Sequence, residues 1–164
     1  MNARRVVIYA LNEMMREEIL ASPITIAQVN FMITKIRGEF EVKLASLPSH
    51  DTATGSLLGR RSIDKQFHGA LEATSIGEML SAGTSVKGSV GYVAIERVSG
   101  KLDNKKGTFV FQHFATMNRG EPNLMIVVVP DSGTGELTGL TGKMSIEIKD
   151  GKHFYDFEYS IVKQ

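Results

Sequence analysis

Residues 143–159, KMSIEIKDGKHFYDFEY, decide the fold. Apolar and polar side chains alternate on both sides of Asp150-Gly151, and Asp-Gly favours the two-residue type I′ turn of a β-hairpin. A turn there pairs Lys149 with Lys152 and carries the ladder out to Lys143 opposite Glu158. Met144, Ile146 and Ile148 then share a face with His153, Tyr155, Phe157 and Tyr159. Ser145 and Glu147 share the other with Phe154 and Asp156. Lys143 and Glu158 make a charge pair of the kind a solvent-facing sheet surface favours. The Ile/Tyr/Phe face is therefore the inner one.

The same alternation extends upstream. Phe40, Val42 and Leu44 alternate with charges in a first strand, and Ile63, Lys65, Phe67, Gly69 and Leu71 share one face of a second over about 61–73. Further strands are expected near 75–83, 88–102, 107–117 and 123–129, and the closing pair at about 139–149 and 152–162. Turn residues mark the joins at 103–106, 118–120 and 130–133. Strands at this spacing, with tight turns and no crossover helices, imply an all-β domain, an eight-stranded antiparallel up-and-down barrel, with a sandwich as the alternative.

Upstream of Gly38 the pattern is different. Val7, Leu11, Met14, Met15 and Ile19 recur at helical spacing, and Ser22-Pro23 ends the run. Residues 1–37 are thus expected to form an N-terminal helical extension and 38–164 the barrel domain. The extension could cap an open end, mediate oligomer contacts or be dispensable, with Met32 as an alternative start. Arg4-Arg5 and the apolar run 6–11 resemble the start of a secretory signal, but Asn12-Glu13 breaks the run too early for a signal core or a membrane span.

Composition narrows the function classes. The 164 residues fit one domain, with 19 basic against 18 acidic side chains and a net charge of +1. No nucleic-acid or membrane partner is expected from that balance. The pairs Arg4-Arg5, Arg60-Arg61 and Lys105-Lys106 read as solvated surface and turn residues. The sequence holds no Cys, which excludes disulfides and thiolate sites and fits a cytoplasmic protein.

Several segments together carry a family likeness: KQFHG at 65–69, GSVGYVAIE at 88–96, GTFVFQH at 107–113, PDSGTGEL at 130–137 and HFY at 153–155. In them the chain resembles the small bacterial proteins of unknown function that adopt an allene-oxide-cyclase-like β-barrel. The resemblance implies an eight-stranded antiparallel barrel with a central cavity, often oligomeric, and no established reaction. The namesake cyclases and the related dirigent proteins hold a reactive intermediate in an apolar cavity and steer its closure or coupling, an analogy at the level of the fold.

Chemistry could reside on the hairpin around 103–106. A turn centred on Asn104-Lys105 would set Glu96 opposite His113, sharing a face with Tyr92, Ala94, Val98, Phe109 and Phe111. Such a pair could act as general acid and base, or could simply satisfy two buried polar groups. A one-residue slip would bring Arg97 and Gln112 inside instead. The bend 132–137, SGTGEL, lacks the spacing and the following helix of a phosphate loop, and reads as barrel closure with Glu136 capping the turn. His50, His68, His113 and His153 show no metal-ligand spacing, so no metal and no cofactor is expected. His68 is expected on the surface and His153 at the rim.

The leading functional expectation is a barrel whose cavity binds a small, mostly apolar ligand. Tyr92, Phe109, Phe111, Ile146, Tyr155 and Phe157 would hold it, with Glu96 and His113 fixing its orientation. One alternative is a cyclase or isomerase in which Glu96 and His113 move a proton. Another is a non-catalytic assembly protein with a filled barrel. A homo-oligomer is expected in each case.

Overall fold

The computed structural model describes residues 32–162. The helix expected before residue 20 lies outside them. Eight strands follow in chain order: β1 (Thr34–Leu47), β2 (Leu58–His68), β3 (Leu71–Gly83), β4 (Val90–Leu102), β5 (Lys105–Asn118), β6 (Glu121–Val128), β7 (Leu140–Lys149) and β8 (Lys152–Ile161). Each is antiparallel to the next, and β8 pairs back onto β1 to close the barrel. A 3-10 turn at Gly135–Leu137 is the one helical element among the described residues. None of their helices is long and apolar enough to cross a membrane.

The closing hairpin has the register expected of it, from Lys149 opposite Lys152 to Lys143 opposite Glu158, with that last pair bridged at 3.2 Å. Asp150 and Gly151 take the positive φ values of 52° and 75° that a type I′ turn requires. The β4–β5 hairpin differs from expectation by two residues. Its turn is Asp103-Asn104, with φ of 46° and 64°, so Glu96 faces Phe111, and Ala94 faces His113. Asp and Asn enter the left-handed region far more readily than Lys, so the turn settles on them. A shift of two preserves the inner face, and Glu96 and His113 stay on it as diagonal neighbours.

Two boundaries also move. The strand expected over 61–73 divides at Gly69-Ala70, where Gly69 takes φ of 102° and the Asp103 N–H donates to the Ala70 carbonyl at 2.8 Å. The first strand begins at Thr34, upstream of Gly38. Gly38 is fixed by packing: a Cβ there would lie 2.2 Å from the His68 carbonyl oxygen and 2.4 Å from the Tyr155 hydroxyl. That hydroxyl donates to His68 O at 3.0 Å and accepts from the Leu71 N–H at 3.2 Å, tying β8 to the β2–β3 turn.

The two halves of the barrel are filled differently. At the end bearing the β2–β3 and β4–β5 turns, Phe67, Leu71, Leu102, Phe109, Phe111 and Phe157 pack into the main core. The SGTGEL bend closes that end. Leu137 is buried against the core, and Glu136 accepts the Lys106 N–H at 2.8 Å. At the other end the inner positions thin out to Leu44, Val90, Leu124 and Ile148, all exposed, with Ile148 reaching 67%. On the outer surface Leu80, Val93, Phe114 and Met125 form one directly paired row across β3–β6, each of them exposed.

Candidate functional site

The open half encloses a cavity of about 460 Å³, and inward positions of all eight strands line it. Val42, Ile63, Met79 and Ile146 supply apolar wall, and Tyr92, His113 and His153 supply polar edges. Arg61 and Lys65 supply charge. A larger depression of about 750 Å³ lies beside the exposed row, bordered by Leu58, Leu80, Val93 and Phe114. The buried polar groups cluster at the barrel cavity instead.

Four polar or charged side chains are buried among the described residues, and all four belong to one cluster. Glu96, on β4, is at its centre with 0% exposure. Its Oε1 accepts from Lys65 Nζ of β2 at 2.8 Å and from His113 Nε2 of β5 at 3.0 Å, while its Oε2 accepts from Ser75 Oγ of β3 at 3.0 Å. Reaching β2 from β4 means crossing β3, and Gly77 makes this possible. Gly77 is the direct partner of Glu96, and a Cβ there would lie 2.6 Å from the Glu96 Cβ and 2.3 Å from the Ile95 carbonyl oxygen. The Lys65 ammonium also stands over the rings of Phe40 and Phe67, 5.3 and 5.7 Å from their centres.

Opposing effects set the charge of the cluster. Burial alone would push the Glu96 carboxyl up, but the hydrogen bond from His113 and the charge of Lys65 outweigh it and hold the group at about 2. Glu96 is therefore an anion at neutral pH and can only accept. His113 must then donate from Nε2, which leaves Nδ1 as the ring nitrogen that can take up or release a proton. Tyr92 is raised by burial and by the nearby Glu96 charge, so its hydroxyl stays protonated and able to donate.

The residues singled out in the sequence divide by height along the barrel. Tyr92, Ile146 and His113 line the cavity, and Glu96 lies behind its wall. Phe109, Phe111, Tyr155 and Phe157 face inward but are buried in the closed half, where they pack on one another and on Phe67. They form no part of the cavity wall. Arg61 is exposed, as expected of it, and stands at an inward position of the rim, whereas Arg60 pairs with Glu78 on the outside at 2.6 Å. His68 is on the surface with Glu41 at 2.6 Å, and His153 is at the mouth, its ring 5.1 Å from that of Phe40. Among the described residues no three His, Asp or Glu side chains stand together as a metal would need.

Lys65 and Ser75 are the members of the cluster that sequence reasoning missed as site residues. The signal for Lys65 was present: it alternates with Ile63 and Phe67, so parity alone places it inside. Ser75 carried none, because a small hydroxyl at an inward position is as common in a core as in a site.

Comparison with known proteins adds a family. The model of the family described as "Protein of unknown function (DUF3224)" matches residues 36–159. A crystal structure of a protein of unknown function from the DUF3224 family of Shewanella oneidensis MR-1 is similar over 80% of this chain and 99% of that one, with 53% identity and a TM-score of 0.77. No curated protein matches the chain.

Proposed function

We propose that this chain, which belongs to the DUF3224 family of proteins of unknown function, is a ligand-binding barrel whose open half holds one small, mostly apolar molecule. One observation carries the reading: every buried polar side chain among the described residues converges beside a 460 Å³ cavity whose walls are mostly apolar. A convergent polar group in an apolar concavity is the usual form of a small-molecule site. A purely structural role for the cluster is the weaker explanation, since apolar residues of similar volume would often stabilise a core as well. The likeness to allene-oxide-cyclase-like barrels belongs to the same proposal, as does a cytoplasmic setting for a protein without Cys.

A second reading is favoured by the position of His113. It lines the cavity while its Nε2 is committed to Glu96, the arrangement of a general base with an orienting carboxylate. In an enzyme of cyclase or isomerase type His113 would move the proton, and the fully buried Glu96 would act through it as a positioning residue. Self-association is also part of the proposal. The occupant of the outer row Leu80, Val93, Phe114 and Met125 would be a second copy of this chain, whose own row presents the same apolar pairing.

The test is native mass spectrometry of the protein purified from its own host, followed by thermal unfolding against a panel of small apolar molecules. A bound small mass and a rise in Tm are expected, since a ligand at about 100 times its Kd stabilises by ~2.7 kcal/mol. A ligand-free protein whose Tm responds to no compound would overturn the reading.

A further inference from the structure

Charge around the cavity is one-sided. Arg61 and Lys65 line it, and among the described residues no Asp or Glu does. The Lys65–Glu96 ion pair is also oriented. Its cation is in the wall, and its anion is behind with both oxygens turned onto Lys65, Ser75 and His113. An ammonium has three donors. Glu96 takes one, and the described residues supply no hydrogen-bond partner for the other two. Arg61 has no carboxylate partner among the described residues either. At the mouth, by contrast, Leu44, Leu124 and Ile148 form an exposed apolar collar on inward positions.

From this layout we infer that the ligand is an apolar monocarboxylic acid, bound with its carboxylate against Lys65 at the cavity floor and its apolar body running out to the collar at the mouth. The inference rests on the binding reading above and names the ligand class it left open. An apolar body alone would gain nothing from the floor and would leave the spare donors of Lys65 dry and unpaired, which is costly. A cationic head would meet Lys65 directly, at a distance where like charges in an apolar cavity repel strongly. A carboxylate can accept both spare donors of Lys65, and its charge-assisted bonds are the stronger kind. The Tyr92 hydroxyl, in the same wall, can donate a further bond.

Calorimetric titration of the full chain with octanoate, octanol and octylammonium, at pH 7.5 and low salt, tests this. The bodies are equal and only the head differs. Octanoate should bind more tightly than octanol by about tenfold or more, the value of one or two charge-assisted hydrogen bonds, and octylammonium most weakly of the three. Lys65→Met should remove the preference of octanoate over octanol, whereas Arg60→Gln, on the outer face with Glu78, should preserve it. The wild-type comparison needs no variant and stands even where Lys65→Met fails to fold. Octanol binding as tightly as octanoate would overturn the carboxylate head and leave the binding barrel intact. No binding by any of the three would count against the binding barrel itself. Loss of the preference in Arg60→Gln would show that it follows overall charge and would overturn the placement of the head at the floor.

Discussion

Glu96→Gln should destabilise the barrel by an amount that depends on pH in a defined way. The folded protein holds Glu96 at about 2, against an ordinary 4.5. That interval is a roughly 300-fold change in proton affinity, or ~3 kcal/mol at about 1.36 kcal/mol per tenfold. The folded value is the depressed one, so the stabilisation is fully present above 4.5 and is lost as the pH falls through 4.5 toward 2. At pH 3 about half of it should remain. Gln mimics the protonated carboxyl, so the gap between wild type and variant should be ~3 kcal/mol at pH 7, almost as large at pH 5, and about half that at pH 3. An independent expectation agrees: removing one partner of a buried ion pair costs about 3–5 kcal/mol, because Lys65 is left charged and uncompensated. Urea unfolding of both proteins at pH 7, 5, 4 and 3, followed by far-UV circular dichroism, gives the gap directly. Other carboxylates titrate equally in both proteins and cancel in the difference. A gap that does not change with pH, or one below about 1 kcal/mol at pH 7, would refute the placement of an ionised Glu96 at the centre of the cluster.

Gly77→Ala should destabilise by about 1–3 kcal/mol, because its Cβ would meet the Ile95 carbonyl oxygen and Glu96 rather than a yielding side-chain tip. Thermal unfolding measures this, and an unchanged Tm would mean that the cluster does not depend on the empty position. Phe114→Glu, in the middle of the exposed row, should weaken self-association in sedimentation velocity, and a wild-type protein that sediments as a monomer would remove the proposed interface. Deleting residues 1–31 should leave the cooperative unfolding of the barrel in place, because β1 starts at Thr34 and the closing β1–β8 ladder is complete without them. Loss of that transition would show that the upstream segment stabilises the barrel.

Inside-versus-outside was legible in the sequence because it needs only the period of two. Gln66 and Asp64 alternate with Phe67 and Lys65, and the barrel follows that parity even where the turn and the strand ends were misplaced. The β4–β5 hairpin shows why such errors can be harmless. Moving its turn from Asn104-Lys105 to Asp103-Asn104 changes the partner of Glu96 from His113 to Phe111 but keeps all three inside. A diagonal neighbour on an antiparallel pair remains within reach of a long side chain, so the predicted contact survives as a 3.0 Å hydrogen bond. Height along the barrel axis is another matter, because parity is blind to it. Phe111 and Ile146 are equivalent by alternation, yet one is sealed in the core and the other lines a cavity. What separates them is which end is closed, and that is decided by Leu137, carried into the core on a bend whose glycines advertise a turn and nothing more. Lys65 was not singled out as a site residue for a related reason. A charged residue at an inward position reads as an exception until its partner is known, and the partner, Glu96, is two strands away across Gly77, a position that advertises nothing because it has no side chain. The site therefore depends on an empty position in the middle strand as much as on the charged residues either side of it. A pattern of residue types can show the charges, but only the closed barrel shows the gap that lets them meet.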